Sequence, residues 1–416
     1  MTFPRLSIAS LWLGIGLVGC VAAGVAAGGA PAPAAAPTPG ATGLLTGNLA
    51  EGSAYDTLWS VPLLYKNEAN PWLQELALQG HLQTQYAAGS NAAGHFGTYD
   101  VSDKCTWDDV EVRRFRLGLR ALVLGNWKFH TLFDIYPDLE PRIYKGIAEV
   151  YISYAPSDAF SVSLGKAELK FTREQEYSSR DYLTFERSQM VNQFCGGELT
   201  GMWVSGKGLG GGWLYELGAY GNDRRDELTT LNGGTIILGK IGYNYTKASG
   251  CDFAQAAIHY LHNTEPGYFA PGCSYASPSY SDCISLSNDL TKGRFSLVTE
   301  LFWGDGAVGR PDVYGFTAMP TYFVIPTKLQ LITTFQIAGS REPNGVFLPT
   351  RYEALAPDVG DKAGDAYFAG YAGLNYYFYG QKLKVMSGAK YSHLAGGPGG
   401  GDYNGWTWLA GVRTAF

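Results

Sequence analysis

The chain has 416 residues, a formal net charge of -6, only 16% charged residues, and 28 Tyr, 10 Trp and 55 Gly. This mild acidity excludes a global basic footprint for nucleic acid, so any handling of anions must rest on local clusters. Beyond residue 30 no apolar run approaches the ~20 residues of a membrane helix, and Tyr, Trp and Gly are the residues of interfacial girdles and turns.

The first 28 residues read as an export signal: Arg5, an apolar stretch, then small residues. Within them "LVGC" (Leu17 to Cys20) resembles a bacterial lipobox; lipidation at Cys20 and ordinary signal cleavage both remain open. Residues 29–50, with "APAPAAAPTPGATG", are a Pro/Ala-rich flexible spacer, and 51–78 a periplasmic N-terminal segment. Cys105, Cys195, Cys251, Cys273 and Cys283 show no C-x-x-C spacing, which leaves disulfides and unpaired thiols as alternatives and gives no metal or redox motif.

From residue 79 the chain breaks into alternating segments near 79–88, 109–121, 126–136, 147–155, 159–171, 199–206, 212–221, 235–246, 253–263, 281–290, 293–303, 312–324, 327–338, 366–379, 382–393 and 404–416, sixteen strands in all. "SDCISLSNDL" is the weakest of them, and the even count depends on it. Short connections ("LGNW", "APSD", "GKGLGG", "KASGC", "LTKG", "VIPTK", "FYGQK") follow even strands, and longer ones (89–108, 172–198, 264–280, 339–365) follow odd strands. Tight periplasmic turns and long outer loops are the asymmetry of a transmembrane barrel.

Within "VEVRRFRLGLRALVLGNWKF", Arg114, Arg116 and Arg120 fall in one period-two phase, and Phe115, Leu117, Leu119 and Ala121 in the other. The third strand sets Trp127, Phe129, Phe133 and Ile135 against Lys128, His130 and Asp134; the thirteenth sets Leu329, Leu331, Phe335 and Ile337 against Lys328, Gln330, Thr334 and Gln336. Sixteen such strands without helices would leave exposed edges as stacked sheets, whereas closure removes them and leaves a lumen too wide for side chains to fill. The expected fold is therefore all-β, a 16-stranded antiparallel transmembrane β-barrel over 79–416, apolar outside and polar within. Trp127, Tyr154, Phe160, Trp213, Tyr245, Trp303, Tyr376 and Tyr377 are its expected girdle residues.

"RRFRLGLRALVLGNWKFHTLFDI", then "AEVYISYAPSDAFSVSLGKAELKFTREQEYSSRDYLTFERSQM", and late in the chain "AGLNYYF" together resemble the phosphate-selective porins O and P. The chain departs from that family at "KAELKF", where a Pro-Phe pair is usual. The resemblance implies an outer-membrane porin, usually a homotrimer, with the loop after the fifth strand (172–198) folded into the lumen. It also implies anion preference from lumen arginines and constriction lysines. The terminal Phe416, closing an amphipathic strand, looks like the segment that barrel-assembly machinery recognises.

On this reading the pore-lining contacts for anions such as phosphate are Arg114, Arg116, Arg120, Lys128, Lys166, Lys240, Arg294, Lys328 and Lys384, with Arg180 and Arg187 offered by the inserted loop. Asp134, Glu149, Glu216 and Glu300 oppose them. The alternatives are a non-selective general-diffusion porin, a barrel sheathing a partner protein, and a membrane-surface enzyme. The sheath places the 172–198 loop outside the pore; the enzyme lacks a nucleophile signature such as G-x-S-x-G. No metal, cofactor or nucleic acid is expected; small anions, other hydrophilic solutes and outer-membrane lipid are.

Overall fold

The computed structural model describes residues 54–91, 106–135, 143–194, 196–229, 231–269, 276–349, 351–353, 363–396 and 402–416. The signal, the spacer and Cys20, Cys105, Cys195 and Cys273 lie outside the described residues. Cys251 and Cys283 are free thiols.

The barrel strands are β1 (Leu73–Asn91), β2 (Thr106–Val123), β3 (Trp127–Ile135), β4 (Tyr144–Ser157), β5 (Phe160–Glu168), β6 (Glu198–Leu209), β7 (Trp213–Gly221), β8 (Thr235–Asn244), β9 (Phe253–Asn263), β10 (Tyr280–Lys292), β11 (Phe295–Gly306), β12 (Val313–Ile325), β13 (Leu329–Ser340), β14 (Ala366–Tyr379), β15 (Leu383–Ala395) and β16 (Tyr403–Ala415). Each pairs antiparallel with its neighbours in sequence, and β16 pairs with β1 from Gly405↔Asn91 to Ala415↔His81. The sheet is thus closed and its backbone donors and acceptors are satisfied without an edge, as a hydrocarbon surrounding requires. The segment of weakest strand character is β10, fully paired on both sides. The barrel starts at Leu73, not at 79, so part of the expected periplasmic segment is strand.

Even strands turn tightly into odd ones, as at 293–294 and 380–382, where Gly293 (φ 58°) and Gly380 (φ 53°) take the left-handed conformation that such turns need. At this same end, helix α1 (Ala54–Ser60) packs on the barrel, and a short strand, Leu63–Lys66, pairs with the first residues of β1.

The two phases separate as their chemistry demands. On β13, Phe335 and Ile337 are 53% and 49% exposed on the outside, while Gln330 is fully buried on the inside. Leu119, Leu164, Met202, Leu217, Ile241, Ile258 and Leu374 continue the apolar exterior from strand to strand. At the turn end the Trp127 and Tyr154 rings, and those of Trp213 and Tyr243, lie 5.0 Å apart. One expected girdle residue is corrected. Tyr377 is adjacent to outward-facing Tyr376, so alternation turns it inward, where it is fully buried and its hydroxyl donates to Gln330 Oε1 at 2.6 Å.

Candidate functional site: a lumen divided by two inserted loops

The polar wall begins with a β-bulge. Gln83 pairs with Arg114 but Thr84 with Val112, so Arg113 is the extra residue on β2. A bulge shifts the phase by one, so both Arg113 and Arg114 reach the lumen, and Glu111 is inward while Arg116 and Arg120 remain so. The Arg113 Nε donates to Glu186 Oε1 at 2.5 Å, and Arg114 Nη1 to Gln83 Oε1 at 2.9 Å. Strict alternation assigns Arg113 and Glu111 to lipid and therefore misses them.

The connection from β5 to β6 lies inside the barrel, because it bonds to inward side chains around the circumference. Gln83 of β1 donates to the Ser179 carbonyl at 2.8 Å, and Asn375 of β14 to that of Leu183 at 2.9 Å. Lys384 of β15 donates to the Tyr182 carbonyl at 2.5 Å. On the opposite wall, Arg173 donates its backbone N–H to Glu300 of β11 at 2.8 Å and its guanidinium to Asp289 of β10 at 2.7 Å. A short helix, α2 (Gln189–Phe194), then packs Met190 and Phe194 against glycines of the wall. A Cβ at Gly315 would meet Met190 at 2.6 Å, and one at Gly304 would meet Phe194 at 2.4 Å, so these positions admit the loop only as glycine.

A second segment, after β13, also folds inward. Gln189 donates to the Phe347 carbonyl, Tyr352 to Glu111 at 2.5 Å, and Lys390 of β15 to Glu353 at 2.6 Å. Sequence reading treats 339–365 only as a long outer loop. The available signal is the apolar run Val346-Phe347-Leu348, of which Val346 and Leu348 are buried.

These loops divide the lumen. An outer chamber of about 930 Å³ is lined by Arg113, Arg114, Arg116, the β5–β6 loop and the second segment; an inner chamber of about 350 Å³ is lined by His81, Arg120, His130, Glu149 and Arg180. Glu168 borders both, and its carboxylate is held by Arg187.

The eleven expected anion contacts separate by position. Arg114, Arg116 and Arg187 line the outer chamber, and Arg120 and Arg180 the inner one. Lys166 spends its three ammonium donors on the carbonyls of Arg225, Asp226 and Glu227, at 2.7, 2.9 and 3.0 Å, and so clamps the β7–β8 loop. Lys384 holds the inserted loop in the same manner, and Lys240 is paired with Glu176. Lys128, Arg294 and Lys328 lie at or beside the tight turns, with Arg294 donating to the Val324 carbonyl at 3.5 Å. Arg224, Arg310, Arg351 and Lys145 also line the outer chamber; they come from loops and strand ends, where alternation gives no direction.

Many chamber cations carry carboxylate partners. Arg116 contacts Asp134 at 2.6 Å and Glu198 at 2.9 Å, Arg120 contacts Glu75 at 3.0 Å, and Arg351 pairs with Glu111. Burial would raise the Glu186 carboxyl, but the charge and hydrogen bonds of Arg113, with Arg114 and Arg351 nearby, hold it well below the usual carboxylate range. Glu174, by contrast, is raised by burial even though it accepts the Ser188 N–H at 2.8 Å.

Residues 87–235 match the family described as phosphate-selective porin O and P. The resemblance read from the sequence holds over that stretch, which contains its first two motifs, while "AGLNYYF" lies outside it. No curated protein matches the chain in sequence. Among solved structures, the chain is similar to the outer-membrane channel DcaP of Acinetobacter baumannii, with a TM-score of 0.52 and 13% identity over 85% of this chain and 99% of that one. It is also similar to OmpT of Vibrio cholerae and to Salmonella typhi OmpF in complex with daunomycin, each with a TM-score of 0.54 and 12% identity over 85% of this chain and 100% of theirs. At such identities the likeness shows the fold. A closed barrel with an apolar exterior, matched over residues 87–235 by a porin family model, is an outer-membrane protein with the fold of the outer-membrane channels it resembles.

Proposed function

We propose that this porin is a water-filled passage for small hydrophilic solutes that favours anions such as phosphate. One observation carries the preference: among the described residues, the outer chamber is lined by nine basic side chains against six acidic ones. Guanidinium groups offer fixed donors to oxyanions and stay charged at every relevant pH, while water in the chamber keeps each contact weak enough to release its ion. Arg114 and Arg116 act on the outer side and Arg120 and Arg180 on the inner. Insertion of the β5–β6 loop into the lumen supports a porin over a barrel that sheathes a partner protein.

The second reading is general diffusion with weak selectivity. It draws on the pairing of Arg116 with Asp134 and Glu198 and of Arg187 with Glu168, which cancels much of the field along the axis. A homotrimer in outer-membrane lipid, inserted through recognition of the strand that carries Phe416, completes the proposal. One OmpT structure is described as a trimer form, which supports that assembly for a barrel of this kind.

The test is the reversal potential of the purified protein in a planar bilayer under a KCl gradient, repeated with phosphate present. A potential on the chloride side with reduction of current by phosphate supports the anion reading. A potential near zero or on the potassium side replaces it with general diffusion.

A further inference from the structure

Arg310 differs from its neighbours in the outer chamber. It follows β11 in the outer loop that leads to β12, and its guanidinium carbon lies 3.6 Å from the centre of the Phe347 ring. That distance is a face-on stack, in which the ring's negative face meets the cation. Among the described residues its Nη1 is buried without a hydrogen-bond partner, in contrast to Arg113, Arg116, Arg351 and Lys390 of the same chamber, each of which pairs with a carboxylate. Burial lowers the affinity of Arg310 for its proton, and the Tyr280 hydroxyl opposes this.

Apolar groups share the chamber with this cation: Phe347, stacked on the guanidinium, and Leu348, Pro349, Met319 and Tyr280. Phe347 is fixed from behind: its N–H donates to Gln193 Oε1 at 3.3 Å and its carbonyl accepts from Gln189, both on α2. The stack therefore rests on the inserted loop. A fully hydrated inorganic anion would gain charge attraction from Arg310 but nothing from the ring and the aliphatic wall. A solute with an anionic head and a flat apolar body would gain both, through a charge-assisted bond to the guanidinium and burial of its body against Phe347 and Leu348.

We propose that Arg310 and Phe347 form a platform in the outer chamber that selects organic anions carrying an aromatic body over anions of the same charge that lack one. This deepens the channel reading and rests on it for access to the chamber, but selection between two anions of equal charge is independent of the pore's preference for anions over cations.

Methyl phosphate and phenyl phosphate share a head group and differ in the body. Full-length protein in a planar bilayer should lose KCl conductance at a phenyl phosphate concentration roughly tenfold below that needed with methyl phosphate. Phe347→Ala should abolish the difference while leaving the methyl phosphate response in place, and Arg310→Gln should weaken the response to both. Isothermal titration calorimetry on the detergent-solubilised protein gives the same comparison without conduction, so a protein that carries no current, which sinks the channel reading, still tests the platform. Equal affinity for the two esters in the wild type, or a preference for the phenyl ester that survives Phe347→Ala, overturns the proposal.

Discussion

Arg113 and Glu186 meet across the lumen in a two-point pair, with Nε to Oε1 at 2.5 Å and Nη2 to Oε2 at 2.8 Å. The bulge on β2 supplies the guanidinium and the inserted loop supplies the carboxylate, so one contact both fixes the loop and cancels charge. Its pH dependence follows from the depressed Glu186 carboxyl. A carboxylate stabilised in the folded state contributes fully above its unfolded value and is lost only as pH falls through the lower folded one. Conductance should therefore hold from about pH 7 to about pH 4, since the unfolded carboxyl titrates near 4.3. Glu186→Gln leaves Arg113 and Arg114 uncompensated, so the reversal potential should move toward chloride and the loop should become easier to cleave by protease. An unchanged potential would show that this pair does not face the ion path.

Position in the lumen should decide how much a cation matters. Arg114 lines the outer chamber and shares Glu186 at 3.7 Å, whereas Arg294 is exposed beside a turn. Arg114→Gln should shift the reversal potential toward potassium by several millivolts under a tenfold gradient, and Arg294→Gln should leave it within error, because exposed charges at the mouth are screened over about 10 Å in 0.1 M salt. Equal shifts from both variants would mean that the chamber does not control selectivity.

The barrel was legible because a period of two is imposed on every strand by water on one side and lipid on the other. Gln330 beside Leu331 and Phe335 beside Gln336 display it without reference to any neighbour. The site was legible only where it shares that constraint. Arg114, Arg116 and Arg120 were found by phase, whereas Arg113 and Glu111 were concealed by a bulge whose extra residue leaves no mark in the composition. Lys166 shows the opposite error: its phase is inward, but the three carbonyls that engage it come from a loop more than fifty residues away in sequence. Phe347 and Arg310 belong to loops, where direction is set by what they pack on.

The lipid-facing assignment predicts an asymmetry between adjacent residues. Phe335 is 53% exposed on the exterior of β13, and Gln336 points into the lumen, where it accepts the Gln189 N–H at 2.8 Å. Phe335→Arg should cost about 2–4 kcal/mol in the free energy of folding into a bilayer if it lies near the midplane. Gln336→Arg should fold with a smaller loss and alter conductance through the nearby loop. Reversible urea titration in lipid vesicles measures both, and equal destabilisation would invert the assignment of faces.

The N-terminal segment is predicted to hold the barrel's closing seam. β16 pairs with β1 as far as Ala415↔His81; Phe416 and Gly80 then exchange two backbone hydrogen bonds at 3.0 Å, and the Leu78 N–H goes to the Pro62 carbonyl at 2.8 Å. Leu63–Lys66 continues the ladder along Ala77, Leu76 and Glu75. The short strand thus occupies the place along β1 that β16 leaves unpaired, and α1 covers the junction: Trp59 Nε1 donates to the Ala415 carbonyl at 2.6 Å, and Tyr379 donates to Asp56 at 2.6 Å while stacking on Tyr55. A partly buried hydrogen bond of this kind contributes about 1 kcal/mol, and the pairing of the Trp59 ring with that of Tyr379, 5.2 Å away, about 0.5–1.5 kcal/mol. Trp59→Ala should then destabilise the folded barrel by roughly 2 kcal/mol, mainly through faster opening of the β16–β1 seam. Hydrogen exchange should show protection lost at Leu78 and Gly80 and retained at the centre of β13. Uniform loss across the barrel, or none at the seam, would mean that the segment merely rests on the barrel without securing its closure.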